Sequence, residues 1–259
     1  MKTKTDISSI ERLERLTQYV ESRKAITVPE IVAEFSISLT TARRDLDLLA
    51  EQGKIQRVHG GAIALPKAPP EPPALHRTQE QAEEKQHIGR VAAGFVRDGE
   101  TVFLGAGTTV LEVAHNLCNR RNLTVITNSL LVINALAEAP EIHLVGLGGL
   151  FRESEKSFVG HITEKALTDV RAAKVIMGTR ALDLDQGLTE EFPPEAATNR
   201  VILKIGQQVI IVADHTKFGR VAGAFIAPVT AAQILVTDNG TPQPYIDALT
   251  AQGVRVVTE

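Results

Sequence analysis

The sequence predicts two domains of different classes: a winged helix-turn-helix over residues 1–65 and a larger, mainly parallel α/β domain over residues 74–259. Three observations support this division. Three helical stretches and a hairpin come first, a proline-rich segment follows at 66–73, and short apolar runs then alternate with helical stretches to the end of the chain. Such alternation is typical of a parallel sheet covered by helices on both faces.

The first predicted helix covers 8–23, and its apolar face holds Ile10, Leu13, Leu16 and Val20. The second covers 28–35, with Thr27 as its N-cap and Pro29 in its first turn, and it turns Ile31, Val32 and Phe35 inward. Both patterns are those of amphipathic helices packed on a small core.

The third predicted helix runs from about 39 to 51, capped by Ser38 and ended by Gly53. Its inward residues are expected to be Leu39, Ala42, Leu46 and Leu49. Residues 54–58 and 62–65 alternate or run apolar around Gly60 and Gly61, which predicts a β-hairpin. Three helices and a hairpin form a winged helix-turn-helix.

The segment 66–73 holds five of the twelve prolines in the chain. Proline lacks a backbone N–H and disfavours helix in the residue before it. We therefore expect an extended, semi-rigid spacer between the domains.

After this linker, strands and helices alternate. The predicted strands are 101–105, 123–127, 141–146, 173–178, 208–213, 233–237 and 254–257. The predicted helices are about 80–97, 109–120, 129–138, 161–169, 193–205 and 242–252. Loops that follow parallel strands gather at one edge of the sheet, where ligands bind.

The composition of the chain limits the class of protein to which it can belong. The chain has 259 residues, 43% hydrophobic and 23% charged, with a net charge of −3, which is ordinary for a globular protein. No apolar run reaches the roughly 18 residues of a membrane span, and no signal peptide is evident, so we expect a cytoplasmic protein without membrane contact. Cys118 is the single cysteine, which excludes an internal disulfide. Residues 1–65 hold 10 Lys and Arg against 9 Asp and Glu, so any DNA contact must use a local basic surface.

The third helix carries the candidate DNA-reading side chains. A helix of this kind enters the major groove, where arginine binds guanine and threonine contacts bases or phosphates. The candidates are Ser38, Thr40, Thr41, Arg43 and Arg44 on this helix, joined by Arg57 and His59 of the hairpin. Asp45 can orient an arginine or act as a local cap. The alternative is that Arg43 and Arg44 form only a solvated helix face.

The candidate phosphate site is Gly105, Ala106, Gly107, Thr108 and Thr109, between a strand and a helix. Glycines let backbone N–H groups turn toward an anion, and the helix N-terminus adds positive potential. The alternative is a plain glycine-rich turn. Similar positions beyond other strands belong to Asn128, Ser129, Gly148, Gly149, Asp214 and Lys217.

Two features of this domain remain open. Asp214 can contact a hydroxyl or only cap a turn. The carboxylate-rich segment 183–200 is either a solvated loop or a source of Glu191 or Glu195 for a sugar. His161 and His215 have no other potential metal ligands at a suitable spacing in the sequence, so no metal or cofactor is expected.

The string Ser38-Leu-Thr-Thr-Ala-Arg-Arg-Asp-Leu46, followed by Leu49, Gly53, Arg57 and His59-Gly-Gly-Ala62, resembles the DNA-binding domain of DeoR-family transcriptional regulators. Stretches from Glu84 onward resemble the effector domain of the same family. These stretches are Glu84-Lys85 with Ile88, the Gly105–Thr109 loop, Val125–Ser129, Gly148-Gly149 with Arg152, Ser157 and Gly160, Gly187-Leu188, and Ala213–Phe218. Gly105 stands where the family commonly has Asp.

The resemblance implies a fold similar to ribose-5-phosphate isomerase, operator DNA as one partner and a phosphorylated sugar effector as the other. By position, the phosphate would lie on Gly107, Thr108 and Thr109 with help from Lys217. A homodimer or homotetramer, a repressor and no enzymatic activity follow as expectations.

Two alternatives remain for the C-terminal domain. One is a sugar-phosphate isomerase, which would need a carboxylate base such as Glu191, Glu195 or Asp214. The other is a domain that serves only oligomerisation.

Overall fold

A computed structural model describes residues 9–51, 54–65, 68–69 and 71–258. The chain divides into two compact units, Met1–Pro66 and Lys67–Glu259. Gly53, expected to end the third helix, lies outside the described residues, as do Pro66, Lys67 and Pro70 of the predicted linker.

The first unit contains three helices and three strands among its described residues. They are α1 (Ser9–Arg23), β1 (Ala25–Thr27), α2 (Val28–Phe35), α3 (Leu39–Glu51), β2 (Ile55–Val58) and β3 (Gly61–Ala64). β3 pairs antiparallel with both β1 and β2. The winged helix-turn-helix is confirmed, and β1 is an addition that the sequence pattern did not predict.

Local chemistry sets the helix boundaries. Thr27 forms a capping box with Glu30 at the start of α2. The Ser38 Oγ accepts a hydrogen bond of 3.1 Å from the Thr41 backbone N–H at the start of α3. Gly61 allows β1 and β3 to approach closely, because a Cβ there would lie 2.1 Å from the Ile26 carbonyl oxygen.

The core of this unit holds Leu16, Val20, Ile31, Ala42 and other apolar side chains. Two residues predicted to face inward do not: Ile10 is 70% exposed and Leu39 is 48% exposed. Both lie in the first turn of their helices, where the helix periodicity is right but no neighbouring element covers the side chain.

The second unit is built on a seven-stranded sheet of order β15-β14-β12-β9-β4-β5-β6, in which every pairing is parallel. Its strands are β4 (Thr101–Leu104), β5 (Leu123–Thr127), β6 (Ile142–Gly146), β9 (Ala172–Gly178), β12 (Gly206–Val212), β14 (Ile234–Val236) and β15 (Arg255–Val257). All seven predicted strands are thus present, each within two residues of its expected bounds. The predicted α/β class is confirmed.

Helices and two small antiparallel elements complete this unit. The helices are α4 (Ala74–Arg77), α5 (Ala82–Ala93), α6 (Thr108–His115), α7 (Leu130–Leu136), α8 (His161–Thr168), α9 (Pro193–Ile205) and α10 (Gln243–Ala251). The antiparallel strands are β7 (Leu150–Arg152) with β8 (Ser157–Val159), and β10 (Ala181–Asp183) with β11 (Gly187–Glu190) and β13 (Ala224–Ala227).

Side chains alternate across the main sheet into two separate cores. Phe103, Val175 and Ile211 belong to one core, whereas Val102 and Leu104 belong to the other. Burial on both faces explains why the strands are continuous apolar runs. The sheet therefore holds its strand ends, and the loops beyond them, on a rigid base.

Candidate functional site

The first candidate site is the outward surface of α3, formed by Thr40, Arg43, Arg44, Asp47, Leu48 and Glu51. Thr40, Arg43 and Arg44 are exposed. Thr41 is half-buried, and its hydroxyl lies 2.8 Å from the Ser38 hydroxyl. Ser38 and Thr41 thus shape the start of the helix, while the next turn presents the arginines.

An ion pair between α1 and α3 holds α3 in place. Asp45 is buried, and its carboxylate accepts hydrogen bonds of 2.7 and 3.2 Å from Arg12 of α1. Because Asp45 pairs with Arg12, it orients neither Arg43 nor Arg44. Breaking such a buried pair leaves an uncompensated charge, so it stabilises the position of α3 in the unit.

The hairpin is tied to α3 by Arg57. Its Nε donates to the Asp47 carboxylate at 2.9 Å, and its Nη1 donates to the Gly61 carbonyl oxygen. Arg57, which the sequence analysis predicted to contact DNA, is therefore hydrogen-bonded within its own unit. His59 is exposed at the turn between β2 and β3.

The second candidate site is a cleft at the carboxyl edge of the parallel sheet. β4 and β12 both flank β9, so the loops that follow these three strands meet there. Gly105, Ala106, Gly107, Thr108 and Thr109 line the cleft, and so do Asp214 and Lys217. The structure therefore brings together seven of the eleven residues predicted for effector binding.

The loop after β4 has the geometry of an anion site. Gly107 has φ +117°, a conformation that favours glycine, and it is the residue before α6. Thr108 and Thr109 begin that helix, where free N–H groups and positive potential favour anions. A Cβ at Gly105 would lie 3.1 Å from the Met177 Cβ, so an aspartate there would require Met177 to shift.

Asp214 has a local partner. It is buried, and its carboxylate accepts from the Thr216 backbone N–H at 3.0 Å and from the Thr216 hydroxyl. It therefore caps the 3-10 turn His215–Lys217. This turn directs Lys217 into the cleft.

Three cations of the cleft surround one carboxylate. The Glu71 Oε1 lies 2.7 Å from Lys217 Nζ, 3.0 Å from Arg77 Nη1 and 3.2 Å from Arg180 Nη1. We call Arg77, Arg180 and Lys217 the cation cluster. Arg77 also pairs with Glu155, whose carboxyl has a pKa raised by burial.

The remaining wall of the cleft is rich in carboxylates. Glu190 and Glu195 line it and are buried. Arg152 pairs with Glu195 and lies 3.8 Å from Glu190. Burial raises the pKa of the Glu190 carboxyl. Glu191, in contrast, has a side chain that is 57% exposed, so of the two glutamates proposed to reach a sugar only Glu195 lines the cleft.

Lys85 is the one buried lysine among the described residues. Its Nζ donates to the Arg77 carbonyl oxygen at 2.6 Å and to the Glu80 carbonyl oxygen. Burial lowers the pKa of its ammonium group. Lys85 thereby fixes the turn that presents Arg77 to the cleft.

Asn128, Ser129, Gly148 and Gly149 are not among the described residues that line the cleft. They follow β5 and β6, and the end of β6 lies three strands, or about 14 Å, from that of β9. They instead make internal contacts. Asn128 donates to the Phe158 carbonyl oxygen and Ser129 caps α7, whereas the Gly148 carbonyl oxygen accepts from Thr163 and a Cβ at Gly149 would lie 2.0 Å from the Thr163 Oγ1.

The sequence pattern missed most of the charged residues of the cleft. Glu71, Arg77, Arg180 and Glu155 come from the linker, α4 and two separate loops, whereas Glu190 belongs to the carboxylate-rich segment 183–200 that the sequence left open as a solvated loop. The described part of the predicted spacer makes backbone contacts, because Ala68 N–H donates to the Val221 carbonyl oxygen at 2.9 Å and Arg77 Nε donates to that of Pro72 at 2.9 Å. Buried cations require a partner, and the linker supplies it.

Two classes of site are absent from the described part of the chain. No group of three or more His, Cys, Asp or Glu side chains there is arranged to hold a metal ion. None of the described helices has both the length and the hydropathy to cross a membrane.

Two family models and several curated proteins match the chain. Residues 12–67 match the DeoR-like helix-turn-helix domain, and residues 80–239 match the DeoR C terminal sensor domain. The transcriptional repressor AccR of Agrobacterium fabrum is 34% identical over 90% of this chain and 91% of its own length. The glycerol-3-phosphate regulon repressor of Escherichia coli is 34% identical over 93% of this chain and 95% of its own length.

The chain also resembles solved structures in part. Ribose 5-phosphate isomerase A of Neisseria gonorrhoeae overlaps 53% of this chain and 54% of its own, at 16% identity and a TM-score of 0.40. A partial overlap of this kind carries no argument about activity.

A helix-turn-helix joined to a sensor domain defines a transcriptional regulator whose DNA binding is governed by a second site. The chain belongs to the DeoR family of these regulators. The family resemblance noted in the sequence is confirmed.

Proposed function

We propose that the protein is a repressor of a sugar-related operon, that α3 reads the operator, and that a phosphorylated sugar binding in the cleft controls this contact. The observation that carries the proposal is the Gly107–Thr109 loop at the start of α6, which lines one cleft with Lys217, Arg77 and Arg180. Helix N–H groups and cations together are a site for phosphate.

The operator contact rests on the outward surface of α3. Arg43 and Arg44 offer bidentate donors for guanine, and Thr40 offers a hydroxyl and a methyl group. Arg57 and Ser38 act in this proposal by positioning the hairpin and the helix, whereas His59 is placed to contact the backbone of the duplex. Two half-sites call for two copies of the unit, so we propose a homodimer or homotetramer acting in the cytoplasm.

The effector contact rests on the cleft. The phosphate lies on Gly107, Thr108 and Thr109 and is paired with Lys217. Glu190, Glu195 and Asn199 line the part of the cleft that would hold the sugar of the effector, and they form hydrogen bonds with the sugar hydroxyls. Asn128, Ser129, Gly148 and Gly149 support the loops around the cleft.

We propose binding without turnover. An isomerase needs a carboxylate free to move a proton between C1 and C2. Asp214 is occupied as a turn cap, Glu195 is paired with Arg152, and Glu191 is exposed. Asp214 and Glu195 therefore have other partners, and Glu191 lies outside the cleft, so we propose none of the three as a catalytic base.

A thermal-shift screen tests the effector site. A ligand that prefers the native state raises its stability, so we expect one or more sugar or polyol phosphates, glycerol 3-phosphate among them, to raise the Tm while the unphosphorylated counterparts do not. A hit that is also isomerised by the protein would favour the enzyme. No shift with any phosphorylated compound would contradict the sensor.

A further inference from the structure

The cation cluster already holds an anion, and the chain itself supplies it. The Glu71 Oε1 lies within 3.2 Å of a donor nitrogen on each of Lys217, Arg77 and Arg180. We propose that Glu71 is an internal counter-ion that occupies the place of the effector's anionic group, and that the effector releases the linker by displacing it. This inference rests on the proposed function, because it assigns Lys217 to both anions.

The chemistry of the two anions is the same at this point. Carboxylate and phosphate oxygens both accept short, charge-assisted hydrogen bonds from lysine and arginine. The Glu71 side chain is only 12% exposed, so its negative charge remains strong toward any neighbour. A phosphate bound to Lys217 would be repelled by it. Glu71 and the phosphate therefore exclude each other.

The same cations also hold the backbone of the linker. Arg180 donates to the Pro69 carbonyl oxygen, and Arg77 Nε donates to the Pro72 carbonyl oxygen. Ala68 N–H donates to Val221. A phosphate that draws Arg77 and Arg180 toward itself removes the carboxylate contact and strains these backbone contacts together.

Release of this segment has a consequence for the rest of the chain. Residues 68–73 lie at the start of the second unit, just after the first unit in sequence, and proline-rich chain extends by about 3.1 Å per residue. Their release would free roughly 19 Å of chain from its contacts with the second unit. Effector binding in one unit is thereby converted into freedom of movement for the other, through a difference in affinity for the held and released states.

The test compares Glu71→Gln with Glu83→Gln in the full chain. Glu83 is an exposed carboxylate of α5 outside the cleft, so its variant controls for the loss of one charge. Calorimetric titration with inorganic phosphate should show about tenfold tighter binding for Glu71→Gln than for wild type, because the bound carboxylate no longer competes. Glu83→Gln should bind as wild type does.

Hydrogen–deuterium exchange of residues 68–76 gives a readout that needs no ligand. We expect this segment to exchange slowly in wild type and in Glu83→Gln, and quickly in Glu71→Gln. Saturating phosphate should speed it in wild type and change it little in Glu71→Gln.

Each contrary outcome is distinct. Equal or weaker phosphate binding by Glu71→Gln would overturn the displacement and leave the effector site intact. If neither protein binds phosphate or any sugar phosphate, the proposed effector site fails, while the exchange of residues 68–76 in the absence of ligand still decides the counter-ion role. Exchange no faster in Glu71→Gln than in Glu83→Gln would overturn that role.

Discussion

The arginines of α3 and the cations of the cleft differ in their surroundings. Arg43 and Arg44 are exposed, and no described residue forms an ion pair with either. Arg77, Arg180 and Lys217 have side chains only 9%, 6% and 17% exposed, and all three contact Glu71. We call the first the open surface, because its two arginines are exposed and have no ion-pair partner among the described residues, and the second the closed surface, because its three cations are largely buried and paired with Glu71.

The difference follows from desolvation. An exposed arginine is solvated until DNA arrives, so it needs no partner in the free protein. A buried cation loses that solvation on folding, and an unpaired buried charge is strongly destabilising. If the cleft binds an anion as proposed, its buried cations need an internal anion when the ligand is absent. A surface for a polyanion does not.

The largest expected effect is at the open surface. Replacing both Arg43 and Arg44 by alanine should cost about 1–3 kcal/mol for each lost base contact, hence roughly 30-fold or more in operator affinity. The measurement is binding to a duplex selected from a random pool by the wild-type protein. Folding should be unchanged because neither side chain packs in the core.

Arg15→Ala is the matched control, because Arg15 is an exposed arginine of α1 in the same unit. A similar loss in this variant would indicate a general effect of charge. The dependence on salt separates the two roles further, since loss of a phosphate contact lowers the slope by about 1 and loss of a base contact changes sequence preference instead.

The next effect is at the closed surface. Lys217→Ala should weaken binding of the effector found by thermal shift roughly 10- to 100-fold, because a hydrogen bond to a charged group is lost. Lys204→Ala, an exposed lysine of α9, should bind normally. Equal affinity of Lys217→Ala and wild type would show that the phosphate lies elsewhere in the cleft.

The open surface was predictable from the sequence, because the side chains that form it are local. Arg43 and Arg44 lie within one short helix that Ser38 caps, and the cap and the apolar face identify the outward side of the helix. The seven strands of the main sheet were predictable for a similar reason: each is a short apolar run bounded by turn residues. β1 was missed because three residues carry too little pattern, and its pairing with β3 is decided by tertiary contacts.

The cleft was predictable only where it follows strands. Gly107, Thr109 and Lys217 come directly after strands of the sheet, so their gathering follows from its topology. Glu71, Arg77 and Arg180 share no spacing, since more than a hundred residues separate the last from the others. Asn128 and Gly148 also follow strands of the sheet, but they lie away from the cleft. The order of the strands, which separates them from it, cannot be predicted from the sequence.

The smallest expected effect concerns the free energy of unfolding, and it tests whether the buried Glu190 carboxylate in the cleft destabilises the folded protein. Burial raises the pKa of Glu190 above its ordinary value of 4.5, so the folded state binds more protons than the unfolded state, and Glu190 costs stability as the pH rises above that value. Glu190→Gln removes this cost and keeps an acceptor for the Glu191 N–H, which lies 2.8 Å away. At pH 7 the variant should be about 1 kcal/mol more stable, a rise of roughly 2–4 °C in Tm.

The gain should vanish as the pH falls below 4.5, where Glu190 is protonated in both states. Glu191→Gln, the exposed neighbour, should show no such gain at any pH. A gain that persists unchanged in acid would come from packing and not from ionisation. A loss of stability at pH 7 would mean that Arg152, which also pairs with Glu195, needs both carboxylates for its own compensation.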